Sequence, residues 1–180
     1  MSLAWQRFDL PGADVRLAQP FDPAEAVDWF ARLDAGILWE RHRLRLFGRE
    51  IDAPRLSCWI GDADAVYVYS HTRFVPRPWT PALVALRESV KAWCAAPFNS
   101  VLANRYADGR DGMGWHSDDE PELGPTPTIA SLSFGGVRRF RLRGRADPAT
   151  RLELELPSGS LLVMAGGTQR NYRHDLPKTA

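Results

Sequence analysis

The segment Gly114-Trp115-His116-Ser117-Asp118 places a histidine and an aspartate two residues apart. In extended backbone, residues i and i+2 share a face, so His116 and Asp118 can bind one metal ion from the same side. A second histidine from a distant strand would complete a set of two histidines and one carboxylate, which suits Fe(II) and leaves coordination positions open. His174, which follows the apolar segment ending at Met164, is the best candidate for this third ligand.

Taken alone, a His-x-Asp pair is weak evidence, because such a pair is more often part of a surface turn than of a metal site. Zinc is the other metal to consider. The only cysteines are Cys58 and Cys94, which lack metal-type spacing, so the oxygen-containing donor set favours iron.

The composition limits the classes of protein to which this chain can belong. The 180 residues include 23 Lys+Arg and 22 Asp+Glu, with 44% hydrophobic and 25% charged residues, which is typical of one globular domain. This composition argues against a disordered chain, a collagen-like repeat and a disulfide-stapled mini-protein. The longest apolar run, near 161–167, is too short to cross a bilayer, and residues 1–10 lack a signal-peptide apolar block. The chain has only two cysteines, which the pattern indicates are free thiols of a reducing compartment, so we expect it to be cytoplasmic, and we also expect a monomer with no membrane partner.

Helix and strand signals predict an α+β fold. Asp22-Pro23 and Thr80-Pro81 each read as a helix start, with ends expected at Gly36 and before Pro97. Short alternating segments separated by glycine and proline follow, and they favour a sandwich or jelly-roll core. The candidate strands are 41–46, 65–70, 100–106, 129–134, 138–143, 152–156 and 160–164.

Arginines are concentrated in two of these segments. In an extended strand, alternate arginines would share one face while Phe140 and Leu142 turn to the other. One interpretation is a pair of solvated sheet faces; the other is a surface that follows phosphates, because guanidinium groups pair bidentately with phosphate. The residues are Arg41, Arg43, Arg45, Arg138, Arg139, Arg141, Arg143, Arg145 and Arg151.

Many spaced motifs occur in order along the chain. The strongest are 98–106 (FNSVLANRY), Asp108-Gly109, 114–120 (GWHSDDE), 129–135 (IASLSFG), 159–164 (GSLLVM), Thr168-Gln169 and 174–177 (HDLP). Weaker matches are Phe47-Gly48-Arg49, Pro54-Arg55 and Tyr67-Val68-Tyr69-Ser70. Over roughly positions 40 to 178, this pattern closely resembles the AlkB family of Fe(II)- and 2-oxoglutarate-dependent dioxygenases, in particular its nucleic-acid demethylases.

The resemblance implies a double-stranded β-helix (jelly-roll) core with N-terminal helices and a nucleotide-recognition hairpin region. It implies one dioxygenase domain over 1–180, with helices and the recognition region in 1–96 and the catalytic core in 97–180. Such family members usually continue past the distal histidine into a strand with the pattern Arg-x-Asn-x-Thr-x-Arg. That strand, which supplies arginines for 2-oxoglutarate, does not follow His174 here, so we expect a chain that has been shortened or that continues further.

Residue roles are also implied by the resemblance. His116, Asp118 and His174 correspond to the iron ligands, and Asn104 and Tyr106 to residues that hydrogen-bond 2-oxoglutarate. The residues implied in substrate binding are Phe47, Gly48, Arg49, Arg55, Tyr67, Val68, Tyr69, Asp119 and Glu120. Outside that context, the tyrosines would be ordinary sheet residues and the acidic pair a solvated loop.

The implied activity is oxidative demethylation of N-alkylated bases, of the 1-methyladenine and 3-methylcytosine type, in DNA or RNA. It uses Fe(II), 2-oxoglutarate and O₂, releases formaldehyde, succinate and CO₂, and serves DNA repair. The alternatives are the same chemistry on RNA or protein, and a catalytically impaired nucleic-acid-binding module. The arginine-rich strands favour nucleic acid over protein, and the intact His116, Asp118 and His174 argue against an impaired module.

Overall fold

The computed structural model describes residues 3–41, 43–46, 49–53, 55–69 and 72–179, without the side chains of residues 43–46, 49–52, 67–69 and 72–74. The helices in these ranges are α1 (Pro23–Gly36), α2 (Pro81–Cys94) and α3 (Thr168–Asn171). The strands are β1 (Gln6–Phe8), β2 (Asp14–Ala18), β3 (Arg43–Leu46), β4 (Arg49–Asp52), β5 (Leu56–Gly61), β6 (Tyr67–Tyr69), β7 (Thr72–Phe74), β8 (Ser100–Arg105), β9 (Met113–His116), β10 (Ile129–Ser133), β11 (Arg138–Gly144), β12 (Arg151–Leu156), β13 (Ser160–Ala165) and β14 (Tyr172–Leu176). None of the helices in the described ranges has the length and hydropathy that a membrane span requires.

Two four-stranded antiparallel sheets form the core, with strand orders β1-β2-β13-β10 and β12-β11-β14-β9. One buried cluster joins them, with Val15, Leu162 and Met164 from the first sheet packed with Phe140 and Leu142 from the second. Two antiparallel sheets that share one apolar interior form the jelly-roll core that the sequence predicts. The other strands pair as β3-β4, β5-β8 and β6-β7.

Strand β13 lies between β2 and β10, and all six of its residues are buried. Leu162 and Met164 face the cluster between the sheets, whereas Leu161 and Val163 pack with Trp93 next to the end of α2. Because both faces of this strand are covered, its sequence is a continuous apolar run rather than an alternating one.

The predicted helix starts are confirmed. The Asp22 carboxylate accepts from the Glu25 N–H at 2.8 Å and the Glu25 carboxylate accepts from the Asp22 N–H at 2.9 Å, which forms a capping box. The Thr80 hydroxyl accepts from the Leu83 N–H at the start of α2. The seven predicted strands all occur, with ends within two residues of the prediction.

Among the strands that the sequence did not predict are β1 and β2, which precede α1, and β5, which follows it. β2 pairs with β13 in the core sheet, and β5 pairs with β8, so segments from the first half of the chain complete sheets of the second half. β2 has only five residues, and its two apolar-polar alternations are too few to distinguish a strand from a loop. Its conformation is set by pairing with a distant strand, which local sequence does not encode.

Candidate metal centre

His116 is the last residue of β9, and its ring is oriented by the backbone. Its Nδ1 lies 2.8 Å from the carbonyl oxygen of Gly114, so Nδ1–H donates to that carbonyl and Nε2 is left as the acceptor. Fixing the tautomer in this way is what a metal-binding histidine requires.

His174 lies opposite His116 in the antiparallel pair of β14 and β9. The two ring centroids are 4.2 Å apart, and Phe140 stacks on His174 at 5.3 Å. Burial, reinforced by the nearby His116, lowers the pKa of His174 to about 3. The imidazole is therefore neutral at pH 7, the form that binds a metal ion.

Asp118 lies just beyond the end of β9 and faces both histidines. Its Oδ1 is 3.8 Å from His116 Nε2 and its Oδ2 is 3.6 Å from His174 Nε2. Burial raises the pKa of Asp118, while His116 lowers it and the nearby Glu120 and Asp119 raise it further.

The ligand atoms of all three residues lie within 4.8 Å of one another. Two imidazole nitrogens and one carboxylate oxygen on one side of a cavity fit Fe(II) and leave positions for other ligands. The side chains of His116 and Asp118 are about one-third exposed and that of His174 is 7% exposed, so the centre opens to solvent on the β9 side. The structure thus brings together the three residues that the sequence predicts as ligands, and metal binding itself stays a prediction.

Asn104 and Tyr106 belong to a cluster with two arginines, Arg55 and Arg138. The Arg55 Nε–H donates to the Asn104 side-chain oxygen at 2.8 Å, and the Arg138 guanidinium lies 5.2 Å from the centre of the Tyr106 ring. Burial raises the pKa of Tyr106, and the charges of Arg55 and Arg138 oppose this shift. Phe140, two residues after Arg138 on β11, stacks on His174, so the cluster and the metal centre share one face of the sheet.

The predicted substrate-binding residues fall in three groups. Phe47 and Gly48 lie outside the described residues, and Arg49 begins β4 with its side chain outside the described part. Residues 67–69 form β6, paired with β7, and their side chains are likewise outside it. Arg55 bonds Asn104, which associates it with the predicted 2-oxoglutarate residues rather than with the hairpin.

The predicted acidic pair lies beside the centre. Asp119 is exposed and forms an ion pair with Arg145, and Glu120 immediately precedes a 3-10 turn at Pro121–Leu123. Arg145 also donates to the Ser117 hydroxyl at 2.7 Å, so it holds both neighbours of Asp118.

Three residues support the centre in ways that the sequence did not predict; one of them, Arg145, is assigned by the sequence to the arginine-bearing strand faces instead. They are Phe140, which packs on His174, Arg145, and Gln169, whose side-chain oxygen accepts from the Asp118 backbone N–H at 2.9 Å. The sequence around Gln169 gives no signal of burial, because its neighbours Thr168, Arg170 and Asn171 are all polar.

The opposite face of the β12-β11-β14-β9 sheet carries arginines, as the alternation predicts. Arg151, Arg143 and Arg173 lie directly opposite one another on β12, β11 and β14. Within the described part of the chain, none of these three has an ion-pair partner. We call them the arginine row. Arg143 and Arg141 both stack on the Trp115 ring, at 4.3 and 5.1 Å, beside a cleft of about 710 Å³.

Arg141 differs from the arginine row, because it forms a bidentate ion pair with the buried Asp175. Its guanidinium is therefore committed within the protein. Of Arg141 and Arg143, which share the outer face of β11, Arg143 is the one available to an external anion.

Comparisons with known proteins agree with this architecture. A family model described as the 2OG-Fe(II) oxygenase superfamily matches residues 14–180. The rat alpha-ketoglutarate-dependent dioxygenase alkB homolog 3 is 37% identical over 171 residues, which cover 88% of this chain and 56% of that protein. The human DNA oxidative demethylase ALKBH2 is 36% identical over 184 residues, covering 97% of this chain and 70% of that protein.

Among solved structures, that of OsALKBH1 matches with a TM-score of 0.66 at 16% identity, covering 97% of this chain and 88% of that one. At that identity the likeness supports the fold alone. The chain spans about half the length of the alkB homolog 3 proteins that it matches, 56% for the rat protein.

Proposed function

The chain belongs to the AlkB-homologue family within the 2OG-Fe(II) oxygenase superfamily, and on that premise we propose that it is a dioxygenase that removes N-linked methyl groups from nucleic-acid bases. The observation that carries the proposal is the cluster of His116, Asp118 and His174 on one face of the β12-β11-β14-β9 sheet, with ligand atoms within 4.8 Å of one another. A non-catalytic binding module has no need of such a set in an accessible position.

When bound here, Fe(II) with 2-oxoglutarate and O₂ supplies the oxidation that converts an N-methyl group to formaldehyde and 2-oxoglutarate to succinate and CO₂. The chain itself orients the ligands. Gly114 fixes the His116 tautomer, Phe140 packs against His174, and burial keeps His174 neutral. The partial exposure of His116 and Asp118 leaves an approach for the substrate from the β9 side.

For the co-substrate, Asn104 and Tyr106 offer hydrogen-bonding groups in the neighbouring cluster. Arg55 and Arg138 provide positive charge there, which suits a dicarboxylate. Because the Arg55 bond fixes the Asn104 side-chain oxygen as an acceptor, the Asn104 amide N–H groups are left to donate to a carboxylate.

Base recognition is the finer part of the proposal. The methylated atom lies on the Watson–Crick edge, so the base must be flipped out or taken from a single strand. The β3–β4 hairpin is proposed to probe the nucleic acid together with Phe47 and Gly48, and Tyr67 and Tyr69 on β6 are proposed to stack on the flipped base. Asp119 and Glu120, which follow the metal ligand Asp118, suit the positive charge of a methylated adenine or cytosine.

The arginine row supports nucleic acid as the class of substrate. Like charges directly opposite one another on neighbouring strands are destabilising, so three arginines in register favour an external anion. A polyanionic backbone supplies such anions at regular spacing, and Arg binds phosphate bidentately.

The proposal is tested with oligonucleotides that carry one 1-methyladenine or 3-methylcytosine, as DNA and as RNA, incubated with Fe(II) and 2-oxoglutarate. We expect loss of 14 mass units from the base together with stoichiometric formaldehyde and succinate. The control is Asp118→Ala, which removes the only charged ligand and is expected to abolish turnover while preserving the fold. Binding of the oligonucleotide without succinate or formaldehyde would instead identify a non-catalytic module.

A further inference from the structure

Gln169 is a polar side chain buried in the core, with 2% of its surface exposed. It lies on α3, the short helix between β13 and β14. A buried amide without hydrogen bonds is strongly disfavoured, so its partners indicate why a glutamine is there. Its Oε1 accepts from the Asp118 N–H at 2.9 Å, and its Nε2 makes a weak contact with the Met164 sulfur at 3.7 Å.

The hydrogen bond from Gln169 to Asp118 takes the place of a backbone hydrogen bond between strands, which β9 no longer provides at Asp118. β9 ends at His116, so Asp118 lies beyond the last residue of the strand and its N–H is held by the Gln169 side chain. The neighbouring Ser117 is held separately, since its hydroxyl donates to the Tyr172 carbonyl at 2.7 Å.

These two contacts tie the Asp118 loop to the segment that leads to the third ligand. Gln169 is on α3, which is followed directly by β14, and Tyr172 begins that strand two residues before His174. Gln169 and Tyr172, which both lie shortly before His174, thus bind Asp118 and its neighbour Ser117. These hydrogen bonds set the separation between Asp118 and His174.

We propose that Gln169 is a positioning residue for the metal centre, acting through the Asp118 backbone; this inference rests on the proposed function of that centre. The Gln169 side-chain oxygen fixes the backbone from which the Asp118 carboxylate extends.

Thr168 provides a matched control. It is equally buried and adjacent on α3, but its hydroxyl donates to the Ala165 carbonyl at 2.6 Å and accepts from the Asp14 N–H at 3.1 Å. Replacing Thr168 disturbs the core at the same place without removing the bond to Asp118.

The experiment titrates Mn²⁺ into the apo-protein under anaerobic conditions, with free Mn²⁺ measured by electron paramagnetic resonance. Gln169→Met keeps the shape of the side chain and removes the acceptor, and we expect it to weaken Mn²⁺ binding about tenfold or more. Thr168→Val should leave the Kd within about twofold. Gln169→Glu keeps an acceptor oxygen and should bind Mn²⁺ no more weakly than the parent chain.

Equal Kd values for Gln169→Met and Thr168→Val would overturn the inference. If Gln169→Met does not fold, Gln169→Glu decides, because a folded variant that retains the acceptor but loses Mn²⁺ binding contradicts the positioning role. Asp118→Ala separates the two proposals. If Asp118→Ala binds Mn²⁺ as tightly as the parent chain does, the assignment of the metal centre is wrong. If Asp118→Ala loses Mn²⁺ binding but Gln169→Met does not, the metal centre stands and the proposed role of Gln169 is wrong.

Discussion

Replacing Arg141 by methionine should destabilise the protein far more than replacing Arg139, although both arginines lie on the same face of β11. Arg141 forms two hydrogen bonds with Asp175, one of them 2.8 Å between Nε and Oδ1, and the Asp175 side chain is only 5% exposed. Arg139 is paired with Glu153 at 3.5 Å, with about half of each side chain exposed. Arg141→Met retains the aliphatic part of the side chain, so it mainly removes the charge and the hydrogen bonds.

The magnitude follows from the carboxylate that is left behind. Removing one partner of a buried ion pair costs about 3–5 kcal/mol, because the remaining charge stays desolvated. The Arg141 side chain is 34% exposed, so water can reach part of the vacated space, and a cost of about 2–3 kcal/mol is expected. For a domain of this size that corresponds to a decrease in Tm of about 4–12 °C. The exposed pair of Arg139 contributes about 0.5 kcal/mol.

Urea unfolding at pH 7 of the parent chain, Arg141→Met and Arg139→Met measures these differences. A double-mutant cycle with Asp175→Asn isolates the pair, because Arg141→Met should cost about 1 kcal/mol or less once the buried charge has been removed. Equal destabilisation by Arg141→Met and Arg139→Met, or additive effects of Arg141→Met and Asp175→Asn, would refute the reasoning.

Two further predictions concern ligand binding. Replacing Arg143 and Arg173 together by alanine should reduce the slope of log affinity against log salt by about 1.8 for duplex DNA or about 1.4 for single strands. The control Arg139→Ala should leave the slope unchanged. An unaltered slope in the double variant would mean that the arginine row is only a solvated face. Arg55→Ala should weaken 2-oxoglutarate binding about tenfold, because it releases the Asn104 side chain. Anaerobic titration of 2-oxoglutarate with Mn²⁺ present measures this change. A loss of oligonucleotide affinity with unchanged 2-oxoglutarate affinity would assign Arg55 to the substrate instead.

The sequence predicted the elements whose signals are local. Asp22-Pro23 and Thr80-Pro81 carry their own capping groups, and the apolar run of β13 is long enough to indicate a buried strand. The His-x-Asp spacing and the alternation of arginines with Phe140 and Leu142 depend only on the two-residue period of a strand. These predictions need no knowledge of which strands are neighbours.

The elements that the sequence did not predict depend on partners far along the chain. β2 is a strand because it pairs with β13, and nothing within its five residues specifies that pairing. Likewise, the role of Gln169 is visible only once α3 is placed beside the loop after β9. Arg141 and Arg143 look equivalent in the sequence, yet Asp175 on β14 pairs with one and not with the other.

In the β12-β11-β14-β9 sheet, successive residues of each strand alternate between the face that holds the metal centre and the outer face that holds the arginines, and this alternation couples the two faces. Each histidine of the metal centre is adjacent in sequence to a residue on the outer face, since Trp115 precedes His116 and Asp175 follows His174. Arg141 contacts both of these neighbours, through the Trp115 ring and the Asp175 carboxylate, and so links from outside the two strands that hold the histidines inside. A substitution at Arg141 that lowered oligonucleotide binding would therefore not identify a phosphate contact, because it also loosens the strands beneath. Arg143 also contacts the Trp115 ring but has no bond to Asp175, so replacing Arg143 and Arg173 leaves the Arg141–Asp175 link between the two strands in place.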